Sequence, residues 1–110
     1  MEKVFNKLVR DGIPEKIKSN GEVAETRVLN DKEYRIELYK KLYEECGEVV
    51  DGITVDDRVE ELGDVIEVVR AIAKLEGKSL EDIIKVADAK RTKRGGFEDR
   101  IFLERTIKEE

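Results

Sequence analysis

The chain has 110 residues, 45% of them charged and 39% hydrophobic, with a formal net charge of -5 from 22 basic and 27 acidic side chains. That length suits one domain, residues 1–110, with a modest aliphatic core, and the acidic balance argues against general nucleic-acid binding, which needs a basic footprint. With no histidine and a single cysteine, Cys46, Ser-His-Asp and Cys-His catalysis, HExxH metalloprotease chemistry, a Cys-rich zinc site and an internal disulfide are all excluded.

The opening stretch, MEKVFNKLVRDG, lacks the apolar core of a signal peptide, and no later run approaches the roughly 18–20 apolar residues that span a bilayer. A cytoplasmic location away from membranes is the expectation. Residues 10–14, ending in the only proline, Pro14, read as a turn that opens a short helix closed by Asn20 and Gly21. EVAETRVL at 22–29 suits either a short strand or an extended connection. Asp31 is a candidate N-cap for a long helix from Lys32 to about Asp51, with Gly52 at its end. Asp56 or Asp57 then caps a second long helix to Leu75 or Glu76, closed by Gly77. Ser79, with Asp82 three residues on, forms a capping box for a third helix to about Lys93. Beyond Gly95-Gly96 the stretch RIFLERTI is β-like. The fold class expected is all-α, an antiparallel helical hairpin plus a third helix with irregular ends.

On a wheel of about 100° per residue, Tyr34, Leu38, Leu42, Val49 and Ile53 share one face of the first long helix, and Tyr39, Cys46 and Val50 widen it. Cys46 there is expected to pack as a small hydrophobe. Glu45 falls inside this arc and Glu48 at its edge, whereas Glu37, Lys40, Lys41 and Glu44 fall farther round, toward solvent. On the second long helix Glu61 lies among Val65, Val68 and Ile72, with Asp64 beside them. Each helix thus sets an i, i+3 acidic pair against its apolar seam. Packed seam to seam, the four carboxylates need either Lys and Arg partners or a hard divalent cation. An oxygen-only donor set suits Mg²⁺ or Mn²⁺, and Mg²⁺ shares its remaining positions with substrate phosphates. The alternative is a stripe-edge glutamate with its stem packed and its head in water.

EECGE at 44–48 followed by EELGD at 60–64 resembles the ExxE and ExxD metal motifs of the all-α NTP pyrophosphohydrolases, the MazG-like superfamily. FNKLVRDGIPEKI at 5–17 and KRTKRGGFEDRIFL at 90–103 resemble the opening and closing signatures of its phosphoribosyl-ATP pyrophosphohydrolase-like house-cleaning branch. The resemblance implies that Glu45, Glu48, Glu61 and Asp64 hold Mg²⁺, with one of them open to a role as general base. It also implies that a nucleoside triphosphate is split between its α and β phosphates. Two positions depart from the family pattern: Gly47 replaces a larger or charged residue, and Arg10-Asp11-Gly12 stands where RDK is usual. A glycine inside a helix costs about 1 kcal/mol relative to Ala, which suggests a close approach of another backbone at Gly47.

Cations for the polyphosphate are expected from Lys90 and Arg94, four residues apart in the densest basic run, although the same charges also suit the negative end of the third helix. Lys7 and Arg10 are a second basic pair, with substrate binding and plain surface charge both open, and Asp11 either fixes Arg10 or caps the turn. Phe97 is a candidate for stacking on the base, or else a core plug. Leu62, Ile66, Val69 and Ala73 give the second helix a further apolar face, which points to a homodimer or higher oligomer completing the bundle. Phosphoribosyl-ATP is the alternative substrate. A non-enzymatic helical module with an acidic seam is the alternative function.

Overall fold

A computed structural model describes residues 1–109. Its four helices are α1 (Ile13–Ser19), α2 (Asp31–Asp51), α3 (Val55–Leu75) and α4 (Leu80–Arg94), and no strand occurs among the described residues. Helices α2 and α3 pack against each other as an antiparallel hairpin, and α4 touches only α3. The buried core is small: Leu38 from α2, Val68 and Ala73 from α3, and Leu80 at the start of α4.

Local chemistry sets each boundary, in two places one to three residues earlier than expected. Asn30, not Asp31, caps α2: its side chain accepts from the Glu33 N–H at 2.9 Å while the Glu33 carboxylate accepts from the Asn30 N–H at 3.4 Å. Asp31 and Glu33 then lie in the first turn, where the helix dipole favours negative charge. Thr54, not Asp56 or Asp57, caps α3, its hydroxyl accepting from the Asp57 N–H at 3.1 Å. Ser79 and Asp82 form the expected capping box on α4. Gly77, at φ +71°, lets the chain reverse after α3 while the Lys78 N–H donates to the Ala73 carbonyl at 2.9 Å. The α2–α3 turn is tight because the Arg58 guanidinium donates to the carbonyls of Gly52 and Ile53, at 3.2 and 3.1 Å. A Cβ on Gly52 would lie 2.7 Å from Arg58 Cγ, so glycine serves here by permitting close approach and not by a left-handed cap.

Several expectations fail where the chain lacks a neighbour. RIFLERTI forms no strand; Ile101, Phe102, Leu103 and Ile107 are all exposed, and a strand with no edge to pair with is not stable alone. Residues 22–30 are without regular structure, so of the two readings of 22–29 the connection holds and the strand does not. Cys46, Tyr39 and Val50, expected on the apolar seam, are exposed, and so is Ile53, which lies beyond the end of α2 and so on no face of it. Among the described residues nothing lies within 4 Å of a Cβ built on Gly47, so the close backbone approach expected there is not found within the chain.

The radius of gyration is 19.1 Å, against about 13 Å for a compact chain of this length. The accessible surface is 10517 Å², where a compact monomer of this mass exposes about 6,200 Å². Every described residue from Glu81 onward is exposed.

Candidate metal and phosphate site

The α2–α3 hairpin crosses two i, i+3 acidic pairs. Glu45, Glu61 and Asp64 each offer a carboxylate oxygen such that all three lie within 4.8 Å of one another. Glu45 is 8% exposed, Glu61 and Asp64 are half-buried, and Glu48 is exposed. Glu48 stands outside the triad yet faces the carboxylates of both Glu45 and Glu61.

Two oxygens define the electrostatic problem. Glu45 Oε2 and Glu61 Oε2 are buried and have no hydrogen-bond partner. A buried carboxylate oxygen without a donor carries its full desolvation penalty, and here the charges are of like sign. Burial, then the Glu48 carboxylate, then the charge of Asp64 push the Glu45 carboxyl above its ordinary value, opposed by Lys41. Glu61 is pushed up to about 7, chiefly by the Glu48 carboxylate, which competes for the same proton, and further by burial and the charges of Asp64 and Glu45.

Cations answer this cluster only at its rim. Lys41 Nζ lies 3.8 Å from Glu45 Oε1 and 3.6 Å from a Glu44 oxygen. Its side chain is only 17% exposed, so the wheel's assignment of Lys41 to solvent is corrected. Glu44 and Glu37, expected farther round, are half-buried too, Glu44 because Lys41 and Lys7 close over it, at 3.6 and 3.8 Å. The signal for Lys41 was present as its i, i+4 spacing to Glu45. From the N-terminal segment, the Arg10 guanidinium donates to Asp64 Oδ1 at 2.6 Å. Arg10 is thus paired with Asp64, 54 positions away, rather than with its neighbour Asp11, and no local pattern could have announced it.

The remaining candidates lie elsewhere. Lys90, Arg94 and Phe97 are exposed, and no hydrogen bond or ion pair joins the described part of 80–109 to α2 or to the carboxylates; Arg91 pairs with Glu98 within the same segment. A shallow, open surface cleft lies at the opposite end of the hairpin, lined by Asp31, Lys32, Arg35, Ile36, Lys74 and Leu75. Its arginine is paired with Glu76, so concavity and unsatisfied chemistry do not coincide in the single chain.

The three carboxylates can hold a metal: they are oxygen donors at mutual ligand distance, two with orphaned oxygens. The MazG nucleotide pyrophosphohydrolase domain model matches residues 35–95, a span that contains all four acidic positions. No curated protein and no solved structure is significantly similar to the chain. With more than half its length in that match, and an all-helical fold that sets the two acidic motifs face to face, the chain belongs to the MazG nucleotide pyrophosphohydrolase family.

Proposed function

We propose that this chain is a Mg²⁺-dependent nucleoside triphosphate pyrophosphohydrolase that cleaves the α–β anhydride to a nucleoside monophosphate and pyrophosphate, acting in the removal of noncanonical nucleotides. Mn²⁺ is the expected substitute ion. The observation that carries the reading is the pair of buried, partnerless oxygens on Glu45 and Glu61, inside a triad with Asp64 at ligand distance. Such an arrangement is costly without a cation and suited to a hard one. Glu45, Glu61 and Asp64 would hold a divalent ion, whose chemistry there would be charge neutralisation at the phosphate oxygens and a more acidic water.

The chain's own groups supply the rest. Glu48, beside the triad but outside it, is the carboxylate left to accept a proton from the attacking water. Arg10 and Lys7 bring positive charge to the rim of the cluster and contact the phosphates in this reading. Lys90, Arg94 and Phe97 enter only if a second copy carries them in. The surface of the single chain exceeds that of a compact monomer by roughly 4,000 Å², and burying half of that reaches the range of obligate homodimers. A homodimer in which α4 and the segment after it pack on the other copy is therefore the expected active form.

The test is pyrophosphate release from a panel of canonical and noncanonical nucleoside triphosphates plus phosphoribosyl-ATP, with and without Mg²⁺ or Mn²⁺. Release in the presence of metal, lost in Glu45→Gln and Asp64→Asn, supports the reading. If no substrate yields pyrophosphate and the melting temperature responds to ionic strength but not to metal, the protein is an interaction module instead.

A further inference from the structure

Three of the acidic groups meet, but they are not equivalent. Glu45 and Glu61 each leave a buried oxygen without a partner, whereas Asp64 is already engaged by Arg10 at 2.6 Å. Arg10 does not belong to the hairpin. It lies in the N-terminal segment, anchored on one side by half-buried Leu8 and Val9 and on the other by the turn into α1, where the Ile13 N–H donates to the Arg10 carbonyl at 3.0 Å. The guanidinium spends one of its five donors on Asp64, and its side chain is 57% exposed.

A guanidinium and a divalent cation compete for the same carboxylate. Metal that binds by itself must displace Arg10 from Asp64 or share the oxygen with it, and either course weakens binding. Metal that arrives with a polyphosphate brings the anion that a planar, multi-donor guanidinium grips best. The displaced arginine then has a new partner within reach of its anchored backbone.

We propose that Arg10 is an exchangeable counter-ion of the acidic cluster that opposes binding of the metal alone and favours binding of the metal–phosphate complex. The inference rests on the metal-dependent reading above. It gives this chain a reason to keep an arginine on a metal ligand: metal loading is coupled to arrival of substrate.

The experiment is calorimetric titration of the full chain with Mn²⁺ alone and with preformed Mn²⁺–inorganic triphosphate, in wild type, Arg10→Ala, Arg10→Lys and Lys3→Ala. Lys3 is on the same segment, its ammonium over the Phe5 ring at 5.2 Å, so Lys3→Ala matches the charge change without touching the cluster. Arg10→Ala is expected to bind Mn²⁺ alone roughly threefold to fivefold more tightly, the scale of losing a half-exposed ion pair, and to bind the triphosphate complex about tenfold more weakly. Arg10→Lys should fall between, and Lys3→Ala should shift neither affinity by more than about twofold. The opposite signs are decisive, since a merely structural Arg10 would weaken both affinities and a simple phosphate contact would leave the metal unchanged. Either result overturns the inference, as does Lys3→Ala behaving like Arg10→Ala. If wild type binds Mn²⁺ and Arg10→Ala binds it equally, the inference alone fails. If wild type binds neither Mn²⁺ nor Mn²⁺–triphosphate, the reading beneath it fails as well.

Discussion

The two ends of the α2–α3 hairpin are built from the same kinds of residue and treat charge in opposite ways. Where α2 begins and α3 ends, Arg35 donates to both Glu76 and Tyr39, and Glu37 and Glu67 have Lys40 and Arg70 one helical turn away. These are solvent-screened pairs, each worth at most about 1 kcal/mol. Toward the turn, Glu45, Glu61 and Asp64 converge, two buried oxygens have no donor, and the nearest cations, Lys41 and Arg10, reach only the rim. One end is arranged for folding. The other departs from that arrangement where the two acidic pairs meet, the pattern expected when stability is given up for function.

The sharpest way to break this contrast is to neutralise the strained end. Glu45→Gln and Glu61→Gln should each lower metal-dependent pyrophosphate release by at least about 100-fold, the upper end for losing a group that merely supports a metal ligand. Both should raise the melting temperature of the metal-free protein, because a like charge is removed from the cluster. An unchanged activity, or a metal-free protein that melts lower, would place the centre elsewhere. Next in size is complementation: Glu61→Gln and a Lys90→Ala/Arg94→Ala double variant, each inactive alone, should regain activity when refolded together, because α4 of one copy then serves the carboxylates of another. Mixtures that stay inactive would confine the site to one chain.

A smaller effect is expected from pH. Glu61 is raised to about 7 from an ordinary 4.5, so between those values the folded chain holds a proton that the unfolded chain has released. Metal-free stability should therefore be highest below pH 4.5 as far as this group is concerned, and fall as pH rises through 7. Metal, which favours the ionised form, should produce a larger melting shift at pH 8 than at pH 6. Melting curves with and without Mn²⁺ across that interval check both signs. Smallest is Arg35→Ala at the paired end, which should shift the denaturant midpoint only slightly, because the pair is solvent-screened, and leave metal dependence intact.

The hairpin was legible in the sequence because two apolar runs with helical period are separated by a short break at 52–54 and followed by Gly77 and a Ser79–Asp82 capping box. The caps were displaced because several capping residues stand side by side, Asn30 next to Asp31 and Thr54 near Asp56 and Asp57, and only the backbone path decides which side chain meets an N–H. The acidic triad could be anticipated, since i, i+3 spacing holds each pair on one helical face. The Arg10–Asp64 contact could not, because it depends on where a non-helical segment returns across 54 positions. Exposure of Cys46 and of the described residues beyond Glu81 was equally hidden. Apolar periodicity reports that a face wants cover, but not whether the same chain provides it.

The central claim is that the carboxylate end of the hairpin holds a hard divalent cation. Titration of Mn²⁺ into the wild-type chain and into Glu45→Gln, followed by the melting temperature, tests it most directly. Saturable stabilisation of the wild type that is lost in Glu45→Gln is the predicted result. A wild type whose melting temperature does not respond to Mn²⁺, or a Glu45→Gln variant that responds as strongly, would contradict it.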